Sequence, residues 1–138
     1  MATRTAADRR EEARTAYDAF LKECPTSQLL ARISDKWVGL VLSALAQAEE
    51  QSLRYSDLGR KIPAVSQKML TQTLRSLERD GLVTRTVTAT VPARVDYRLT
   101  ELGGSLGCLF SSVKQWAENH FDEVSAHREL HDRTATAP

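Results

Sequence analysis

The chain has 138 residues, of which 41% are hydrophobic and 27% charged, with a net charge of +1. This length suits one domain with its own core, and the composition is typical of a globular protein. No apolar run reaches the roughly 18 residues that cross a bilayer, and the N-terminus lacks the apolar segment of a secretory signal. Two cysteines are too few for a disulfide framework. We therefore expect free thiols and a cytoplasmic protein with no membrane partner.

The small net charge hides an uneven distribution along the chain. Residues 1–53 hold 7 Lys and Arg against 8 Asp and Glu, residues 54–98 hold 9 against 4, and residues 99–138 hold 3 against 6. The middle third is thus a basic block between a neutral and an acidic flank. Binding to a polyanion requires such a block, although many basic stretches are only solvated surface.

The first part of the chain has the pattern of several helices. Residues 6–22 are rich in Ala, Arg and Glu, which favours a helical arm that ends before Pro25. Three further helical stretches read TSQLLARI, DKWVGLVLSALAQAEE and RYSDLGRKI, and Ser56 is a candidate cap for the third. Pro63 and Ala64 break this third helix.

The stretch VSQKMLTQTLRSLERDG has the clearest helical pattern of all. Ser66 can cap its start, and Gly81 suits the position just after its end. Its leucines recur at helical spacing and form one apolar stripe. At about 100° per residue, a set of polar side chains falls on the side away from this stripe; the set consists of Lys68, Thr71, Gln72, Arg75 and Arg79.

A hairpin and a long helix complete the predicted fold. The Val- and Thr-rich stretches LVTRTVTATV and VDYRLT flank a PAR turn, which predicts a β-hairpin over residues 82–99. From Thr100 onwards, apolar residues again recur at helical spacing. The fold class is therefore mainly α with a small β-hairpin, in the order of a winged helix-turn-helix. In that layout one helix buries one face and offers polar groups to base edges on the other.

No motif for catalysis, a cofactor or a metal is recognisable. GxSxG and HExxH are missing, and the glycines of ELGGSLG lack the dinucleotide-binding spacing. His127 and His131 have one zinc-ligand spacing, but neither cysteine is near them in sequence. We expect no enzyme activity, no cofactor and no metal site. Cys108 has apolar neighbours in the last helix, so we expect it to be a buried, inert thiol.

A set of short motifs runs in order through roughly residues 24–106. They are an early CP, a KW that opens an apolar helix, RYSDL, SQKMLTQTLRSLERDGLVTR and VPARVDYRLTELG. This set resembles the HxlR family of bacterial winged-helix transcriptional regulators. The resemblance implies a homodimer on a pseudo-palindromic operator in double-stranded DNA, with the helix from Ser66 in the major groove and the hairpin as the wing.

The resemblance also implies that N- and C-terminal helices form the dimer interface. Three regions are then expected: an N-terminal helical arm (1–23), the winged domain with its C-terminal dimerisation helix (24–125), and a flexible polar tail (126–138).

Placed before a basic hairpin, the polar face of the Ser66 helix is the candidate DNA-reading surface rather than ordinary solvated surface. Gln suits adenine, Lys and Arg suit guanine, and Ser and Thr suit bases or phosphate. The candidates are Ser66, Gln67, Lys68, Thr71, Gln72 and Arg75 in the helix, and Arg85, Arg94 and Arg98 in the wing. Arg85 and Arg98 can instead pair with Asp96 or with other nearby acidic residues. Tyr55 and Ser56 are further candidates for contact with the DNA backbone.

Two kinds of effector stay open. Cys24 has the position at which redox-responsive members of the resembled family carry their sensing cysteine, and a helix N-terminus there would lower the pKa of its thiol. Alternatively, Trp37, Phe110 and Trp116 either line a pocket for a small ligand or pack in the core and the dimer interface. The predicted function is a sequence-specific DNA-binding transcriptional regulator. The alternative is a winged-helix module for protein–protein contact, because a fold does not dictate a function.

Overall fold

A computed structural model describes residues 3–136, so residues 1–2 of the expected arm and 137–138 of the expected tail lie outside the described residues. The elements in chain order are α1 (Ala6–Glu23), α2 (Pro25–Ile33), α3 (Lys36–Gln47), a 3-10 turn (Glu49–Gln51), β1 (Ser52–Arg54), α4 (Tyr55–Lys61), α5 (Gln67–Arg79), β2 (Val83–Thr88), β3 (Arg94–Leu99) and α6 (Glu101–Thr136). The chain divides into two units, Met1–Lys36 and Trp37–Pro138. None of the helices described is both long and apolar enough to span a membrane.

The first unit consists of two helices that meet at Cys24. Thr5 caps α1, because its hydroxyl accepts from the N–H of Asp8 at 3.1 Å while the Asp8 carboxylate accepts from the N–H of Thr5 at 3.0 Å. Pro25 lies in the first turn of α2, where its missing N–H leaves no helical hydrogen bond unmade. Cys24 therefore ends one helix and begins the next, with extended backbone angles.

The second unit packs α3, α4 and α5 around a core of leucines. Its fully buried members include Leu42, Leu45, Leu58, Leu70, Leu74 and Leu77. The apolar stripe predicted for α5 is thus confirmed. Ser66 caps this helix as predicted, since its hydroxyl accepts from the N–H of Met69 at 3.0 Å. Gly81 follows the helix end with φ +76°, a conformation that suits glycine.

The turn between α4 and α5 contains a strained residue. Ala64 has φ +64°, in the left-handed region that costs an L-residue about 1 kcal/mol or more. The helix before this turn begins at Tyr55, and its N-cap is Arg54, two residues before the predicted cap Ser56 and without a side-chain hydrogen bond. The predicted capping role of Ser56 is therefore wrong, because Ser56 lies inside the first turn.

The predicted hairpin is part of a three-stranded antiparallel sheet in the order β1-β3-β2. Val83 lies opposite Leu99 in the β2–β3 pair, and both side chains are buried. The third strand, β1, pairs with the other edge of β3, so that Arg54 lies opposite Asp96. A strand of three residues carries too short a pattern to be predicted from sequence, and it depends on β3 for its hydrogen bonds.

The last helix is longer than predicted. α6 extends to Thr136, so residues 126–136 are helical where a flexible polar tail is expected from sequence. The predicted burial of Cys108 is wrong, because this thiol is exposed. Gly103 and Gly107 are the buried positions of α6. At about 100° per residue, Cys108 points well away from the side on which they lie.

Gly103 lets α6 approach the chain at Leu82 closely. A Cβ added to Gly103 would lie 1.8 Å from the carbonyl oxygen of Leu82, whereas at Gly104 the nearest atom would be the flexible amide of Gln51 at 3.3 Å. We expect Gly103→Ala to lower the free energy of unfolding by about 1–3 kcal/mol, because the backbone must shift. Gly104→Ala is the matched control and should stay within about 1 kcal/mol of wild type. Urea unfolding measures both, and equal losses would contradict the close approach.

Candidate nucleic-acid interface

An open groove of about 1080 Å³ lies between α5 and the wing, which comprises β2, β3 and the loop that joins them. Side chains spaced three or four residues apart along α5 form one wall, namely Gln67, Thr71, Arg75 and Glu78. The wing supplies Arg85, Val95, Tyr97 and loop residues 90–94, and the junction of β1 with α4 supplies Arg54, Tyr55 and Ser56. Three segments that are distant in sequence therefore line one concave surface.

Cationic side chains dominate this groove. Four arginines line it, Arg54, Arg75, Arg85 and Arg94, against the single carboxylate of Glu78. Arg75 and Arg85 are exposed, and within residues 3–136 neither forms an ion pair. Their charges are therefore available to an external anion such as a phosphate.

The other two arginines are partly neutralised. The Nε of Arg94 donates to both carboxylate oxygens of Asp96, at 3.1 and 3.0 Å. The Nε of Arg54 lies 3.5 Å from a carboxylate oxygen of Asp57. The expected alternatives, in which Asp96 pairs with Arg85 or Arg98, are not what the structure shows. Residues 94 and 96 share one face of β3, whereas Arg85 lies opposite Tyr97 and shares the other face.

The polar residues of α5 form two groups. Gln67, Thr71 and Glu78 turn toward the wing, whereas Lys68 and Gln72 are exposed on the side opposite the buried leucines. Arg75 lies between the two groups. The side opposite the core and the N-terminal turns of α5, which include Thr71, suit contact with base edges. The wall between Arg75 and the wing suits contact with a sugar–phosphate strand.

A hydrogen-bonded bridge joins the start of α4 to α5. The Tyr55 hydroxyl donates to the carbonyl oxygen of Gln67 at 3.1 Å and lies 3.0 Å from the Thr71 hydroxyl. The Tyr55 ring lies 6.5 Å from the ring of Tyr97 in β3. Tyr55 therefore links α4, α5 and the wing, and its hydroxyl is engaged within the protein.

Besides Lys68 and Gln72 on the outward side of α5, two further predicted contact residues, Ser66 and Arg98, lie outside the groove lining. Ser66 uses its hydroxyl to cap α5. Arg98 is exposed on the face of the sheet opposite to Tyr97, because neighbouring residues of a strand alternate between faces.

Two charged groove residues, Arg54 and Glu78, are not among those predicted from sequence. Arg54 belongs to the short strand that only its pairing with β3 defines. Glu78 follows Gln67 by eleven residues, which is close to three helical turns, so both side chains lie on the same side of α5. The helical spacing, continued one turn beyond Arg75, would therefore have predicted Glu78 beside the other groove residues.

The Cys24 thiol lies at the N-terminus of α2 and is half-buried. The backbone N–H of Ser27, followed by that of Thr26, holds the pKa of this thiol below its usual value. These N–H groups lower the pKa because they favour the negatively charged thiolate over the neutral thiol.

The three aromatic effector candidates do not line the groove. Trp37 and Phe110 are half-buried. The Phe110 ring packs on α3, since a Cβ added to Gly39 would lie 2.8 Å from that ring. Trp116 is 56% exposed and stacks on His120 with ring centres 4.8 Å apart. Among the residues described, His, Cys, Asp and Glu side chains do not converge into a metal site.

Comparison with known proteins decides the family. Residues 32–125, which contain the groove and most of α6, match the family described as HxlR-like helix-turn-helix. The chain belongs to the HxlR family. It is a transcriptional regulator of the winged-helix type, as the shared description of its relatives and its fold both show.

Individual members of the HxlR family are similar over most of this chain. The uncharacterized HTH-type transcriptional regulator YtfH of Escherichia coli K12 is 39% identical over 110 residues, which cover 80% of this chain and 85% of that protein. The structure of the ytfH regulator from Salmonella typhimurium has a TM-score of 0.70 at 37% identity and covers 78% of this chain and 94% of that one. The redox regulator HypR in its reduced form has a TM-score of 0.66 at 34% identity and covers 75% of this chain and 99% of that one.

Proposed function

We propose that this HxlR-family regulator binds a specific site in double-stranded DNA as a homodimer and that modification of Cys24 regulates the binding. The observation that carries the DNA-binding part is the groove, in which Arg75 and Arg85, which form no ion pair within residues 3–136, present their charges beside the exposed polar face of α5. A cationic groove next to a polar helix face has the chemistry of a phosphate strand beside base edges.

In this proposal α5 enters the major groove. The amide of Gln72 can both donate to and accept from an adenine, and Lys68 can donate to a guanine. Both side chains are exposed opposite the buried stripe, so they need no rearrangement of the core to reach base edges. The groove beside α5 then receives one sugar–phosphate strand between Arg75 and the wing.

The Arg94–Asp96 ion pair sets how strongly the wing attracts phosphates. The Asp96 carboxylate competes with a phosphate for the Arg94 guanidinium, because both anions accept from the same donors. Arg85 has no such competitor on its face of the sheet. We therefore assign the larger share of phosphate attraction in the wing to Arg85.

Three substitutions test the DNA interface, with a site enriched from random duplex DNA by the wild-type chain as the probe. We expect Arg85→Ala to weaken binding to all sequences and to reduce the salt slope by about 1. Gln72→Ala should cost about 1–3 kcal/mol at particular base pairs only. Asp96→Asn should strengthen binding to the enriched site and to random DNA alike, because it releases Arg94. Fluorescence anisotropy over a range of salt concentrations measures all three.

The result that would contradict the DNA proposal is a wild-type chain that enriches no sequence and binds DNA without salt dependence. In that case the groove would serve contact with another protein. An equal loss on specific and random DNA for Gln72→Ala would remove only its role in reading bases.

The exposed apolar side of α6 supports the proposed homodimer. Leu102, Leu106, Leu109, Val113 and Trp116 follow one another at alternating intervals of four and three residues, the spacing of a coiled-coil seam. All except Leu106, which is half-buried, are more than half exposed. A second copy of α6 packed on this seam would bury it. Two-fold symmetry of such a dimer would match a pseudo-palindromic operator.

A charge placed on the seam tests the dimer. We expect Val113→Glu to convert the chain to monomers, because two carboxylates would face each other in an apolar interface. Gln115→Glu introduces the same side chain two residues away, on the exposed side of α6 turned from the seam, and should leave the dimer intact. Analytical ultracentrifugation gives the mass. A dimer that survives Val113→Glu would place the interface elsewhere.

The regulatory part rests on the thiol of Cys24. The N–H groups of the first turn of α2 lower its pKa, so more thiolate is present at neutral pH than for an ordinary cysteine. Thiolate is the nucleophile that attacks oxidants and electrophiles. Cys24 also joins α1 to α2 directly, so a modified sulfur there would change the ends of both helices. The redox regulator HypR is similar to this chain in structure and sequence.

Single-thiol variants test the role of Cys24. In Cys108→Ser, the rate of alkylation by iodoacetamide should rise with pH at a midpoint below that of an unstructured cysteine peptide, about 8.5. Diamide should release DNA from wild type and Cys108→Ser but not from Cys24→Ser. Cys108→Ser is the matched control, because it removes the other thiol, which is exposed. Equal release from Cys24→Ser would exclude Cys24 as the sensor.

A further inference from the structure

We propose that Tyr55 makes the Thr71 hydroxyl a hydrogen-bond acceptor only, and so restricts Thr71 to bases that present an amino group in the major groove. The inference rests on the proposed DNA binding. It adds a positioning residue, Tyr55, that sets base preference through its neighbour without touching DNA.

The hydroxyl hydrogens of Tyr55 and Thr71 determine the direction of the two hydrogen bonds. A tyrosine hydroxyl has one hydrogen to donate and lone pairs that accept. The carbonyl oxygen of Gln67, 3.1 Å from the Tyr55 oxygen, can only accept, so the Tyr55 hydrogen points to it. The Thr71 oxygen lies 3.0 Å from the same Tyr55 oxygen, which then has only lone pairs for it. Both hydrogen bonds form only if Thr71 donates its own hydrogen to Tyr55.

This assignment limits what Thr71 can bind. A free threonine hydroxyl can donate to a phosphate, to guanine or to thymine, and it can accept from adenine or cytosine. With its hydrogen committed to Tyr55, the Thr71 oxygen offers lone pairs only. Phosphate oxygens, guanine O6 and thymine O4 are acceptors and are therefore excluded as partners. Adenine N6 and cytosine N4 carry hydrogens, so they remain possible partners of the Thr71 oxygen.

The packing holds Tyr55 in this position. Tyr55 is the first residue of α4 and is half-buried, and Leu58 anchors the same helix turn in the core. The ring of Tyr97 lies 6.5 Å away on the other side. Thr71 is half-buried in the second turn of α5, where it lines the groove. The acceptor is thus in place before DNA arrives.

A purely structural role of Tyr55 would leave the base preference at a single position unchanged. This preference is therefore the quantity to measure. We compare sites enriched from random duplex DNA by wild type, Tyr55→Phe and Thr71→Val. Wild type should favour A or C over G or T on one strand at one position of each half-site, by roughly 3- to 10-fold. Tyr55→Phe releases the Thr71 hydrogen, so this preference should fall toward unity while the other positions and the salt slope stay unchanged. Thr71→Val should lose the same preference.

Several outcomes would overturn the inference. An unchanged preference in Tyr55→Phe or in Thr71→Val would do so, and so would a loss spread evenly over all positions, which would make Tyr55 a support of the fold only. If Tyr55→Phe does not fold, Thr71→Ser replaces it, since serine keeps the donor and should keep the preference that valine loses. A wild-type chain that enriches no site removes the proposed function and this inference with it. A wild-type site whose preference Tyr55→Phe retains removes the inference alone.

Discussion

The complete burial of the leucine stripe of α5 is the constraint on which the rest of the site depends. Leu70, Leu74 and Leu77 lose nearly all contact with water. Burial of each side chain stabilises the fold by about 1.5–3 kcal/mol relative to leaving it exposed. A rotation of the helix about its axis would expose at least one of them. The rotation is therefore determined by packing, and with it the direction of every polar side chain on the helix. Lys68 and Gln72 point outward because the leucines point inward.

A second constraint, the register of the sheet, determines the chemistry of the opposite wall. Arg85 lies opposite Tyr97 and shares the face that lines the groove. A slip of one residue would turn threonines toward the groove and Arg85 away from it, because side chains alternate between faces. The buried Val83–Leu99 pair opposes such a slip. Apolar packing at one end of the hairpin thus positions a charge two residues further along β2.

Within these walls, neighbouring residues reduce what the polar groups can do. Asp96 engages Arg94, Asp57 engages Arg54, and Tyr55 engages Thr71. Each pairing lowers attraction for phosphate and leaves fewer groups to bind DNA of any sequence. Non-specific sites far outnumber specific ones in a genome, so a regulator gains discrimination when its general attraction is limited. The groove has the features of a surface adjusted for selectivity rather than for maximal charge.

The sequence by itself determined the elements whose signals lie within a few residues of one another. The stripe of α5, its cap at Ser66, the glycine after its end, the hairpin and the basic block all follow from local spacing and composition. The family motifs can also be recognised from the sequence, because the residues of each motif are contiguous. Only the tertiary structure decided β1, the place of Arg54, the choice of Asp96 between arginines, the exposure of Cys108 and the bond of Tyr55 to Thr71, which is sixteen residues away. Helical periodicity repeats every 3.6 residues and can be detected in any short window. Pairings between segments depend on how those segments pack, and no local pattern encodes that.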